Sequence, residues 1–187
     1  MSDVIVITGS ARRDGHTRPA VDAAFGGSRA IIYDLNDYEV APYDYACSPE
    51  DDFLPLAERM ITAKAIVFAT PVYWYSMSAP MKVFFDRLTD LTGAYKQKGR
   101  ALAGRRNYLL AAGGSASAPE GFVTPFRETA LYFDMEWGGD FYAQTPLSAD
   151  SEDRAAEFGK RVLADAARFR APGEKVESGF SRTRRVS

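Results

Sequence analysis

Residues 4–20 read VIVITGSARRDGHTRPA, and this stretch decides the fold. Val4 to Ile7 are apolar without alternation, which marks a strand buried on both faces of a sheet rather than on one. The strand then delivers the chain to Gly9, Ser10, Arg12, Arg13, Gly15, His16 and Thr17 at the start of a helical pattern. Free backbone N–H groups at a helix start, two hydroxyls and nearby arginines suit a terminal phosphate. The plainer alternative is a capped helix start with solvated arginines.

The same grammar recurs along the chain. Short apolar runs at 3–8, 29–34, 64–70, 107–113 and 135–145 alternate with helix candidates near 17–25, 52–62, 79–91, 119–133 and 149–169. Such alternation predicts an α/β fold, a doubly wound parallel sheet with helices on both faces. The last helix has the clearest start, with Ser148, Asp150, Ser151, Glu152 and Asp153 ahead of an alanine-rich run. Residues 1–170 are expected to form one domain. Residues 171–187, beginning APGEKVESG, break the helical pattern and read as a flexible or interface tail. The longest connection, 37–53, is rich in Tyr and Asp and suits either a functional loop or a surface excursion.

Composition narrows the function. A chain of 187 residues, 46% hydrophobic and 26% charged, has the balance of a soluble globular protein. No apolar run approaches the roughly 18 residues that span a bilayer. The N-terminus lacks the basic segment and small-residue cleavage site of a secretory signal, so a cytoplasmic protein with no membrane span is expected. Cys47 and His16 are the sole residues of their types, which excludes an intramolecular disulfide and any metal site built from Cys and His clusters. A net charge of −2 gives no footprint for nucleic acid, although the C-terminal SRTRRVS is locally basic.

In open α/β sheets, ligands bind beyond the carboxyl ends of the strands. Three loops therefore matter. The first, 8–17, matches neither common nucleotide motif. Five residues separate Gly9 from Gly15 where a Walker A loop has four, and Ala11 stands where a dinucleotide fingerprint needs its second glycine. The second, TPVYWYSMSAPMK at 70–82, sets Tyr73, Trp74 and Tyr75 in a row, either packing a flat ligand or closing a core or subunit interface. The third, 111–122, carries Gly113, Gly114 and Ser115, where backbone can approach a ligand or simply turn. A phosphate cradle, an aromatic wall and a glycine edge together fit a ligand with a phosphate at one end and a planar heterocycle at the other. FMN is such a molecule.

GSARRDGHT after the first strand, paired with PVYWYSMSAPMKVFFDR at 71–87, resembles the flavodoxin-like NADPH-dependent FMN reductase family, which includes quinone reductases and iron–sulfur flavoproteins. The likeness covers residues 3–145 in order of elements. It implies a five-stranded sheet of order 2-1-3-4-5. It implies that Ser10, Arg12, Gly15, His16 and Thr17 meet the FMN phosphate. Pro71, Val72, Tyr73, Trp74, Tyr75 and Ser76 would lie along the isoalloxazine, and Gly113, Gly114 and Ser115 at its other edge. NADPH or NADH is the implied co-substrate, and a homodimer or homotetramer the implied assembly. The family's first loop usually reads G-N-T where this chain has Gly15-His16-Thr17. The iron–sulfur branch carries a cysteine cluster near residues 40–53, and with Cys47 alone this chain resembles a cluster-free flavoprotein.

The chemistry implied is the cofactor's: electrons pass from the nicotinamide through FMN to a small acceptor, a quinone, free flavin, nitro or azo compound. No catalytic side chain and no metal are expected. Three other readings stand beside this one. A flavodoxin-type electron carrier would usually show a strongly acidic face. A flavin-free phosphate-binding protein leaves residues 73–75 unexplained, and a reductase-like protein without hydride transfer would act by binding.

Overall fold

The computed structural model describes residues 2–45 and 50–169. Cys47 and the segment 171–187 lie outside the described residues. Five strands, β1 (Val4–Thr8), β2 (Ile31–Asp34), β3 (Ala65–Pro71), β4 (Arg106–Gly113) and β5 (Glu136–Gln144), form one sheet of order β2-β1-β3-β4-β5. Every neighbouring pair is parallel. The order and class are those the sequence implied.

Right-handed crossovers fix where the helices go. The chain moves to one side from β1 to β2 and to the other thereafter, so α1 (Thr17–Phe25) and the last helix, α6 (Ala149–Ala167), share one face. The helices α2 (Phe53–Thr62), α3 (Ala79–Arg87) and α5 (Thr124–Tyr132) cover the other. The strands divide their side chains accordingly. Ile5, Ile7, Ile66, Phe68, Leu109 and Ala111 face the second layer. Val4, Val6, Val67, Tyr108, Leu110 and Ala112 face the first. β1 and β3 are buried throughout, whereas the edge strands β2 and β5 are partly exposed. That is why the central strands read as unbroken apolar runs.

Two boundaries differ from expectation. The helical pattern at 79–91 is an α-helix only to Arg87 and continues as a 3₁₀ turn over Leu88–Leu91. The pattern at 119–133 becomes helical only at Thr124, with proline in the first turn. A short helix, α4 (Lys96–Arg100), interrupts what had no assigned structure. At five residues it is too short to carry a periodicity signal.

Candidate active site at the carboxyl ends of β1, β3 and β4

The strand order places the three loops side by side. Gly9 continues β1, donating its N–H to the Ala69 carbonyl at 2.8 Å. Its own carbonyl accepts from the Ser78 hydroxyl. Ser78 also caps α3 by accepting the Met81 N–H, and its N–H donates to Thr70 Oγ1 at 3.2 Å. Thr70 and Ser78 are both buried, so a polar pin joins the first loop to the second. Neither was singled out in the sequence as a site residue. The Ser78-Ala79-Pro80 pattern, a capping residue before proline, is the signal that finds the second of them.

The first loop wraps inward from there. The Ser10 carbonyl accepts from Asn36 Nδ2 at 2.7 Å, and Asn36 Nδ2 also donates to Asp34 Oδ1. Asn36, on the loop after β2, is a third residue not evident from the sequence. Gly15 sits against Ser10, so that a Cβ at Gly15 would lie 2.8 Å from Ser10 Oγ. Thr17 opens α1 at 1% exposure, and its Oγ1 is buried with no hydrogen-bond partner. A buried hydroxyl without a partner costs about 1–3 kcal/mol and calls for an explanation. An acceptor brought into the loop by a ligand would supply one.

The arginines separate. Arg13 pairs with Asp37 and donates to the Asn36 carbonyl at 3.1 Å. Arg18 pairs with Asp22 one helical turn on, at 2.8 Å. Among the described residues Arg12 makes no ion pair, and it is exposed. His16 is exposed too, and its side chain does not cap α1.

Beyond β3, Val72 donates its N–H to the Ala112 carbonyl at 2.8 Å, holding the second loop to β4. Tyr73 and Ser76 then exchange backbone hydrogen bonds of 2.9 and 3.0 Å across a two-residue turn. Its central residues, Trp74 and Tyr75, have φ of 48° and 65°. Positive φ at both central positions defines a type I′ turn, which favours Asn-Gly and strains larger residues. Trp74 is 93% exposed and Tyr75 75%.

At the end of β4, a Cβ at Gly113 would lie 2.7 Å from the Tyr142 hydroxyl oxygen and 3.3 Å from Val72 Cβ. The absent side chain lets the second and third loops close on one another. Tyr142, on β5, donates its hydroxyl to the Ser115 carbonyl at 2.9 Å. Burial pushes its pKa up. A concavity of about 550 Å³ lined by Asp3, Arg29, Ile31 and Leu163 lies instead at the amino ends of β1 and β2, away from all three loops. No cluster of three metal-ligating side chains occurs among the described residues. No helix among them is long and apolar enough to cross a membrane.

A doubly wound parallel sheet of order β2-β1-β3-β4-β5, with three loops side by side at the carboxyl ends of β1, β3 and β4, defines the flavodoxin-like class. Comparison with known proteins carries this further. Residues 2–136 match the NADPH-dependent FMN reductase family. The chain is 27% identical over 150 residues to the putative NAD(P)H-dependent FMN-containing oxidoreductase YwqN of Bacillus subtilis, covering 73% of this chain and 81% of that protein. It is 29% identical over 129 residues to an FMN-dependent NADH:quinone oxidoreductase of Thiobacillus denitrificans, covering 65% and 60%. Its fold is shared with general stress protein 14 of Treponema denticola, solved in complex with FMN, at a TM-score of 0.63 and 18% identity, covering 91% and 100%. The chain belongs to the NADPH-dependent FMN reductase family, and is thereby an FMN-dependent, nicotinamide-oxidising enzyme.

Proposed function

We propose that FMN lies across the carboxyl ends of β1, β3 and β4 and that the enzyme reduces a small planar acceptor, a quinone before free flavin, nitro or azo compounds. The observation that carries the placement is the orphaned, buried Thr17 hydroxyl at the start of α1, two residues after Gly15. Ser10, Arg12, Gly15, His16 and Thr17 hold the phosphate, Arg12 being the arginine of this loop with no ion pair among the described residues. Pro71 to Ser76 flank the ring, and Gly113, Gly114 and Ser115 approach its far edge. FMN, when bound, supplies two-electron chemistry between the nicotinamide and the acceptor. The protein's work is then to bind, orient and leave one ring face open. The quinone preference is supported by the likeness to the Thiobacillus enzyme. We also assign residues 1–170 to one FMN-binding domain of a cytoplasmic homodimer or homotetramer. The exposed Leu131 and Tyr132 of α5 suit a subunit contact.

The test is anaerobic. The protein is reconstituted with FMN, freed of excess, and titrated with NADPH and with NADH while the visible flavin band is followed. Bleaching, with colour returning on adding a quinone, is the expected result. Retained flavin that neither nicotinamide bleaches would sink the reductase reading in favour of an electron carrier. Failure to retain FMN would sink the site assignment, and gel filtration of the same sample reads the assembly.

A further inference from the structure

The third loop is held by a side chain from the neighbouring strand. Tyr142 stands on β5 opposite Ala111, and its hydroxyl reaches over the end of β4 to the Ser115 carbonyl at 2.9 Å. Gly113 leaves the space for it, since a Cβ there would lie 2.7 Å from the same hydroxyl oxygen. In a trans peptide the carbonyl and the following N–H point in opposite directions. With the Ser115 carbonyl held by Tyr142, the Ala116 N–H faces away from that hydroxyl, on an exposed stretch of loop. That N–H makes no hydrogen bond among the described residues. Donation to the carbonyl also polarises the peptide and strengthens its N–H as a donor.

We propose that Tyr142 is a positioning residue: through the Ser115 carbonyl it aims the Ala116 N–H at the flavin and so raises the midpoint potential of bound FMN. The inference rests on the placement of residues 113–115 at the ring's edge. A preorganised donor stabilises charge that arrives on the ring with the electrons, and favours the uncharged oxidised ring far less.

The test is Tyr142→Phe in the FMN-loaded protein, read by anaerobic spectroelectrochemistry and by FMN affinity. Oxidised FMN should bind within about threefold of the parent, because the ring's packing is kept. Relative affinity for the two-electron reduced form should fall about tenfold, which lowers the two-electron potential by about 30 mV. Gly113→Ala, whose new methyl displaces the hydroxyl, should lower the potential likewise, and it carries the test should Tyr142→Phe fail to fold. The double variant should go no lower than the more affected single one, because both changes remove one hydrogen bond. An unchanged potential, strictly additive shifts, or loss of FMN from Tyr142→Phe overturns the proposal. Failure of the broader site reading looks different: Thr17→Val would then leave FMN affinity untouched, whatever Tyr142 does.

Discussion

The first loop and the turn at Tyr73–Ser76 border the same strand ends and are built on opposite terms. Residues 9–17 are tied down by neighbours: Ser78 holds Gly9, Asn36 holds Ser10, and Asp37 holds Arg13. Among the buried side-chain polar atoms of this stretch, Thr17 Oγ1 is without a hydrogen-bond partner. The turn is closed by two backbone hydrogen bonds, carries two aromatic residues in the left-handed region and exposes both. One region is relaxed and leaves a buried hydroxyl unpaired; the other holds strain without packing to offset it. Strain of this kind collects where geometry serves binding.

The anchored side is tested first at its strongest point. Arg87, at the end of α3, is buried and reaches Asp51, Asp90 and the Ala41 carbonyl, with its guanidinium 4.9 Å from the centre of the Phe53 ring. It ties Ala41 and Asp51 to α3. Arg87→Ala leaves two buried carboxylates without their cation and should destabilise the fold by about 3–5 kcal/mol, measured by urea denaturation. The pH dependence follows from Asp51. Burial alone would raise its pKa, but hydrogen bonds from Arg87 and from the Ala41 and Phe53 N–H groups, with the Arg87 charge, hold it below the ordinary carboxylate value. A folded-state pKa below the unfolded one means stability that is full above about pH 4 and is lost as pH falls through the lowered value. A variant with parental stability and parental acid sensitivity would show that the strap bears no weight.

A smaller effect, and one with two signs, is expected at Thr17. Thr17→Val keeps the shape and removes the orphaned hydroxyl. In FMN-free protein, stability should hold or rise by about 1 kcal/mol, because a buried unsatisfied group is gone. FMN affinity, read by fluorescence quenching, should fall roughly tenfold or more, the worth of a hydrogen bond to a charged group. Equal affinity in the two proteins would empty the cradle of its phosphate.

Much of this contrast was legible in residues and part was not. The central strands announce themselves because burial on both faces forces unbroken apolarity in β1 and β3, and the helix starts are marked by Ser78 and Ser148, each of which caps its helix. The loop residues were readable because glycines, hydroxyls and arginines gather there. Which arginine stays unpaired was not, since Asp37 reaches Arg13 from another strand's loop and only the fold sets that distance. Asn36 and Tyr142 were hidden for the same reason: each acts on a loop it does not belong to, Asn36 across 26 residues and Tyr142 across 27. The strain at Trp74 and Tyr75 was invisible because aromatics are not turn formers, and nothing in the sequence marks a type I′ geometry there.

That strain gives the smallest effect and the one that most sharpens the comparison. Replacing Trp74-Tyr75 by Asn-Gly installs the pair a type I′ turn prefers. Glycine escapes the left-handed penalty of about 1–2 kcal/mol and asparagine only a small part of it, and the added glycine takes back roughly 0.5–1 kcal/mol through the freedom it gives the unfolded chain. With both rings largely in solvent, little packing is lost. FMN-free protein should therefore gain about 1 kcal/mol in urea denaturation, while the FMN-loaded form turns over planar acceptors more slowly. The opposite result, a loss of stability, would mean that the rings pack against something the turn was shaped to meet, and the turn would then belong with the anchored loop rather than against it.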